Sequence, residues 1–218
     1  MMDSVCPQTG DEVLANFFER YADMLECEVA VRAARSMMTS AFRAGHKLMV
    51  CGNGGSAADS EHVVGELMKS FRFKRPVSEQ FKEAYQKTND EDVPSWLEGA
   101  LPSISLVSQT ALATAFGNDE ASVGTFAQQV LGYGRSGDVL LAISTSGNSA
   151  NVVEAAKVAR ALGVRVLSLT GAKDSKLTPL SEVCIQVPRT EVFQVQELHL
   201  PVYHALCAAT EADIFGGV

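Results

Sequence analysis

The chain has 218 residues, enough for one sizeable core, and its 46% apolar and 20% charged residues exclude a disordered polymer. A net charge of −8 argues against general nucleic-acid or acidic-membrane binding, yet leaves room for an anionic small substrate held by amides and hydroxyls. No apolar run approaches the roughly 18–20 residues of a membrane-spanning helix, the N-terminus lacks the basic and apolar regions of a secretion signal, and five scattered cysteines (Cys6, Cys27, Cys51, Cys184, Cys207) without a CxxC read as reduced thiols of a cytoplasmic protein.

Residues 11–44 space apolar side chains by threes and fours without a proline, which predicts one long helix or two in succession, stopped by Gly45. "HKLMVCG" (46–52) predicts a buried strand, followed by a glycine-rich loop and a helix to about residue 69. Residues 70–100 are polar, with a basic start and a later acidic "NDED", and predict a solvated helical excursion or a lid-like insertion. "SISLV" (103–107) predicts a strand, "FGND" (116–119) a turn, and residues of about 120–132 a helix. Thereafter strands at 137–144, 164–171 and 183–188 alternate with a helix at 148–163, and a final helix at 191–215 carries Pro201. Short Val/Leu/Ile runs alternating with helices predict an α/β fold: a doubly wound, mainly parallel sheet flanked by helices, with a long N-terminal helix. We expect residues 1–218 to form a single domain with an insertion at about 70–100.

Two strand–loop–helix units echo each other, "HKLMVCGNGGSAADSEHVV" and "GDVLLAISTSGNSANVVEAA", and in open α/β sheets such loops hold ligands at the carboxyl ends of strands. The second loop, "STSGNS", packs Ser144, Thr145, Ser146 and Ser149 before a helix, a set of donors suited to a phosphate monoester. Serine and asparagine are also favoured helix caps, but four hydroxyls directly after a buried strand exceed what a cap needs. The first loop lacks the Gly-Lys-Ser/Thr ending of a P-loop. It fits Gly-x-Gly-x-x-Ala, yet the acidic residue that a dinucleotide site requires about 20 positions on is replaced by "KSFRFKRP". His62 and Glu66 are four apart on the predicted helix, about 40° apart around its axis, so both can reach one point as metal ligands or as a base with its partner. On the last helix, spacing alone does not choose among Gln196, Glu197, His199 and His204, because Pro201 removes a helical hydrogen bond there.

"GNGGSAADSEHVVGE", "ISTSGNSANVVEAAKVA" and "QELHLPVYHALC" together resemble the phosphoheptose isomerase family, a branch of the SIS (sugar isomerase) domain proteins, over about residues 11–212 apart from the insertion. The resemblance implies a ketose–aldose isomerase that converts sedoheptulose 7-phosphate, or a closely related phosphosugar, to a D-glycero-D-manno-heptose 7-phosphate through an enediol. It implies substrate contacts from Asn53, Gly54, Gly55 and Ser56 on the first loop, and from Ser144, Thr145, Ser146 and Ser149 around the phosphate. It also implies a zinc site formed by His62, Glu66, Gln196 and His204, an acid/base pair of Glu66 and His204, Gln196 rather than Glu197 as the residue facing the substrate, and a homotetramer. Ser108 and Gln109 stand where the family usually has Thr-Asp, and Phe193 and Gln194 where it often has Asp-Arg, which implies a changed sugar pocket. The alternative is a SIS module that binds a phosphosugar or a replication-initiator partner without catalysis; presence of both His62–Glu66 and Gln196–His204 favours the enzyme.

Overall fold

The computed structural model describes residues 9–216; Cys6 and most of the N-terminal stretch read for a targeting signal lie outside them. Five parallel strands, β1 (Leu48–Cys51), β2 (Ser103–Ser105), β3 (Val139–Ile143), β4 (Arg165–Gly171) and β5 (Val183–Val187), form one sheet in the order β2-β1-β3-β4-β5. The order reverses between β1 and β3, where Val50 lies beside Leu141. That is the position at which a doubly wound sheet opens a crevice for ligands.

Alternation along the strands divides the core between two faces. Leu48, Val50, Leu141, Ile143, Leu167, Leu169 and Ile185 join one apolar cluster, and Met49, Cys51, Leu140, Ala142 and Val166 join the other. On the first face lie α1 (Gly10–Arg20), α2 (Glu28–Arg43), α3 (Gly55–Met68) and α8 (Val192–Phe215); on the second lie α6 (Thr125–Tyr133) and α7 (Ala150–Ala161). The predicted doubly wound sheet is thus present, with strand and helix limits within a few residues of those read from periodicity.

Three stretches refine the expectation. At the N-terminus two helices in succession, rather than one long helix, are found: a 3-10 segment (Ala22–Cys27) separates α1 from α2, and the apolar residues of α1 (Val13, Leu14, Phe17, Phe18) are buried within the chain, where α1 packs on α8. The turn expected at 116–119 is instead part of a helical stretch, α5 (Thr110–Phe116) followed by a π turn (Gly117–Ala121), and neither segment buries a residue. Within 70–100, α4 (Glu79–Asn89) also buries nothing, as a solvated excursion should, but Arg75 just before it is fully buried.

Candidate active site

At the end of β1 the chain turns through Gly52, Asn53 and Gly54 into α3. Gly54 has φ +57°, which a glycine adopts without strain, and the Ser56 amide donates to the Asn53 carbonyl at 3.0 Å. At the end of β3 the serine-rich loop makes the matching turn: Gly147 has φ +64°, its amide donates to the Ser144 carbonyl at 2.9 Å, and the Ser144 and Ser149 hydroxyls lie 3.0 Å apart. Because β1 and β3 are neighbours, the two loops stand side by side. The Asn53 side chain and that of Asn151, one residue into α7, join them by exchanging two amide hydrogen bonds of 2.8 and 2.9 Å.

Gly55 begins α3, and a Cβ there would collide with the side-chain amide of Gln196, so α8 delivers Gln196 against the first loop. Two turns further along α3, roughly 10 Å by the helical rise, His62 and Glu66 meet His204 of α8. His62 Nε2 is 3.1 Å from Glu66 Oε1 and 3.3 Å from His204 Nε2. Glu66 is mostly shielded and His62 half-exposed, so the cluster sits at the edge of solvent. Burial, then the neighbouring His62, holds the His204 pKa below its ordinary value, with Glu66 pulling the other way. Behind the cluster, the Tyr203 hydroxyl lies 3.0 Å from His62 Nδ1 and donates to Asp59 Oδ1 at 3.3 Å, and the Gln196 amide donates to Asp59 Oδ2 at 3.5 Å. Burial raises the Asp59 pKa, opposed by Tyr203, His62 and Gln196; burial followed by the Asp59 charge raises that of Tyr203.

The donor set suits a tetrahedral metal. One ligand atom from each of His62, Glu66 and His204 can be chosen with all three within 4.8 Å of one another. Bonds of about 2.0–2.1 Å at tetrahedral angles put ligand atoms about 3.3 Å apart, close to the distances of His62 from Glu66 and from His204. Gln196 is not among the three: its side chain lies against Gly55 and donates to Asp59 at 3.5 Å, so it is joined to the cluster only through Asp59 and Tyr203. Ser108 and Gln109 follow β2, across β1 from the serine loop; Ser108 donates to Glu61 Oε1 at 2.9 Å, and Gln109 opens α5 without a side-chain cap. Sequence reasoning missed Asp59, Tyr203 and Asn151. Asp59 lies three residues before His62, a spacing that puts it on the same helix face. Tyr203 enters only because α8 packs against α3, which no local pattern encodes.

A SIS domain family model matches residues 14–90 and 98–171, passing over only the later part of the expected insertion. The phosphoheptose isomerase of Rhodospirillum rubrum is 39% identical over 200 residues, covering 92% of this chain and 93% of its own. That of Akkermansia muciniphila is 38% identical, covering 82% of each chain. Among solved structures, the phosphoheptose isomerase of Neisseria gonorrhoeae superimposes with a TM-score of 0.70 at 31% identity, covering 92% of this chain and 97% of that one. Whole-length identity and a shared backbone, over a chain whose glycine loop, serine loop and His–Glu–His cluster all fall at one crevice, lead to one assignment: the chain belongs to the SIS domain family and, within it, to the phosphoheptose isomerases.

Proposed function

We propose that the protein isomerises sedoheptulose 7-phosphate to D-glycero-D-manno-heptose 7-phosphate by proton transfer through a cis-enediol, within a single SIS domain. The observation that carries this reading is the meeting of His62, Glu66 and His204 two turns along the helix that the glycine loop begins. In this reading Ser144, Thr145, Ser146 and Ser149 grip the phosphate, with Ser56 and the backbone of Asn53, Gly54 and Gly55 beside them; Gln196, Ser108 and Gln109 contact the sugar. Binding the remote phosphate orients the reacting carbons. The Glu66 carboxylate takes the proton from C1 and returns it to C2. His204 moves the matching proton between the oxygens on those carbons, a task suited to a ring that is neutral near neutrality and so accepts first. Gln109 can hydrogen-bond a sugar hydroxyl but takes no proton.

The cofactor in this reading is one zinc ion held by His62, Glu66 and His204, with Gln196 as the fourth ligand; when bound it would polarise the carbonyl and stabilise the enediolate. We further infer a homotetramer in the cytoplasm. Free thiols at Cys27, Cys51, Cys184 and Cys207 support a reducing setting, and among the described residues no helix is long and apolar enough to cross a membrane.

The test is turnover of sedoheptulose 7-phosphate in deuterated water, with zinc or chelator, following aldose formation and deuterium at C2. Wild type should form deuterated aldose, and Glu66→Gln should lose at least about 10²-fold in rate. Tight binding of the phosphosugar without turnover or exchange would instead favour a non-catalytic SIS module.

A further inference from the structure

Tyr203 has one hydroxyl proton and two partners that want it. Its oxygen lies 3.3 Å from Asp59 Oδ1 and 3.0 Å from His62 Nδ1. An ionised carboxylate can only accept, whereas a neutral imidazole accepts at one nitrogen and donates at the other. If the tyrosine gave its proton to His62, its oxygen would face the Asp59 carboxylate with no hydrogen between two acceptors. Tyr203 is buried at 1% exposure, so that unmade bond to a charged group would go uncompensated by water. If the proton goes to Asp59, which also takes the Gln196 amide, both buried contacts of the tyrosine are satisfied, provided His62 donates from Nδ1 to the tyrosine oxygen; the contact then left without a hydrogen is His62 Nε2 with Glu66 Oε1 at 3.1 Å, at the edge of solvent where water or a cation can fill it.

We propose that Asp59 and Tyr203 form a relay that fixes the tautomer of His62, holding its proton on Nδ1 and leaving the Nε2 lone pair facing Glu66 Oε1 and His204 Nε2. Neither relay residue touches the reacting atoms; both are positioning residues. The relay makes His62 a ready ligand, because a ring that must first surrender an Nε2 proton binds a cation less well. It also ties three parts of the site to one carboxylate, since Asp59 holds His62 through Tyr203 and Gln196 directly. Only the consequence for metal affinity rests on the zinc reading above; the tautomer does not.

The experiment uses the metal-free full-length protein labelled with nitrogen-15 histidine. With four histidines in the chain, ring signals are assigned through His62→Gln and recorded at alkaline pH, where the rings are neutral. The expected spectrum of the wild type shows His62 protonated on Nδ1. In Tyr203→Phe, which keeps the ring and its packing, His62 should move to the Nε2–H form, which Glu66 can accept, and zinc measured by chelator competition should bind about 10–100-fold more weakly. A wild-type His62 protonated on Nε2 overturns the relay, and this needs no variant to fold. An unchanged tautomer with unchanged zinc affinity in Tyr203→Phe overturns it as well, leaving the tyrosine a packing residue. Failure of the wild type to bind zinc would defeat the zinc reading alone, and the spectra would then decide the relay by themselves.

Discussion

His199 sits fully buried on α8, and neither ring nitrogen makes a well-formed hydrogen bond among the described residues, the Thr170 backbone offering only a loose contact. Burial pushes its pKa from 6.5 down to about 4, against the opposing pull of the Thr170 backbone. The unfolded ring takes up a proton near 6.5 and the folded ring only near 4. Between those values the unfolded state holds more protons, so stability rises with pH there and is lost as pH falls through the window. Full acidification across it should cost about 3 kcal/mol through this one ring. Urea unfolding at a series of pH values should therefore show a steeper acid loss in the wild type than in His199→Leu; parallel curves would place the acid sensitivity elsewhere. Residues like this mark the boundary of what a sequence discloses. His62 and Glu66 were legible because a helix turns their four-residue spacing into proximity. His199 and His204, five apart on one helix, have the same chemistry in the sequence, and only the packing of α8 puts one in the core and the other at the crevice.

The helix that carries the proposed base is pinned by a buried ion pair. Arg75 and Glu211 are both fully buried, with Arg75 Nε donating to Glu211 Oε1 at 2.7 Å. The same guanidinium donates to the carbonyls of Leu67 and Glu66 at 2.6 and 2.9 Å, and Glu211 accepts the amides of Phe71 and Arg72. At the carboxyl end of α3 this pair satisfies the last carbonyls, that of Leu67 being shared with the Leu101 amide, and turns the chain toward α4. Arg75→Met would leave Glu211 charged and buried without its partner. The expected loss is about 3–5 kcal/mol, read as a shift in denaturant midpoint, with partial recovery on adding Glu211→Gln. A loss near zero would show that water reaches Glu211 in the variant and that the pair is not a clamp. The opposite end of α3 offers a second test. The Cβ of Gly55→Ala would displace the Gln196 amide, and a misplacement of that size near the reacting centre costs about 10²-fold in rate. Thermal unfolding should change far less than kcat/KM; an equal loss of both would make Gly55 a folding requirement. None of this was visible in "SFRFKR", where a run of basic residues gives no sign of which arginine lies in the core and which faces water. Polarity did read α4 correctly, because an exposed helix advertises itself by its lack of an apolar face.

At the scale of the whole molecule, alternating strands and helices revealed a parallel sheet but not its order. The two candidate ligand loops become neighbours only because β1 lies beside β3, a fact of topology that periodicity does not carry. The surface between copies is likewise a matter of packing. The apolar residues of α1 pack against α8 in the same chain, so they mark no interface. Apolar side chains remain exposed at the start of α8 instead: Val192, Phe193 and Leu200. Phe193 and Leu200 are seven apart, a spacing that puts them on one helix face with Gln196 between them. With Asp59 and Glu197 they border a hollow of about 470 Å³. An apolar rim around Gln196, the proposed substrate residue, is poorly suited to water and well suited to a second copy that closes the crevice. Phe193→Glu places a charge on that rim without touching the core. If the homotetramer reading is right and its copies meet here, sedimentation should show a smaller species for this variant, and activity should fall with the loss of assembly. Should the variant dissociate and keep full activity, each crevice is complete within one chain. Should it stay assembled, the copies meet on another face, and the unburied stretch from α5 through the π turn is the next surface to charge.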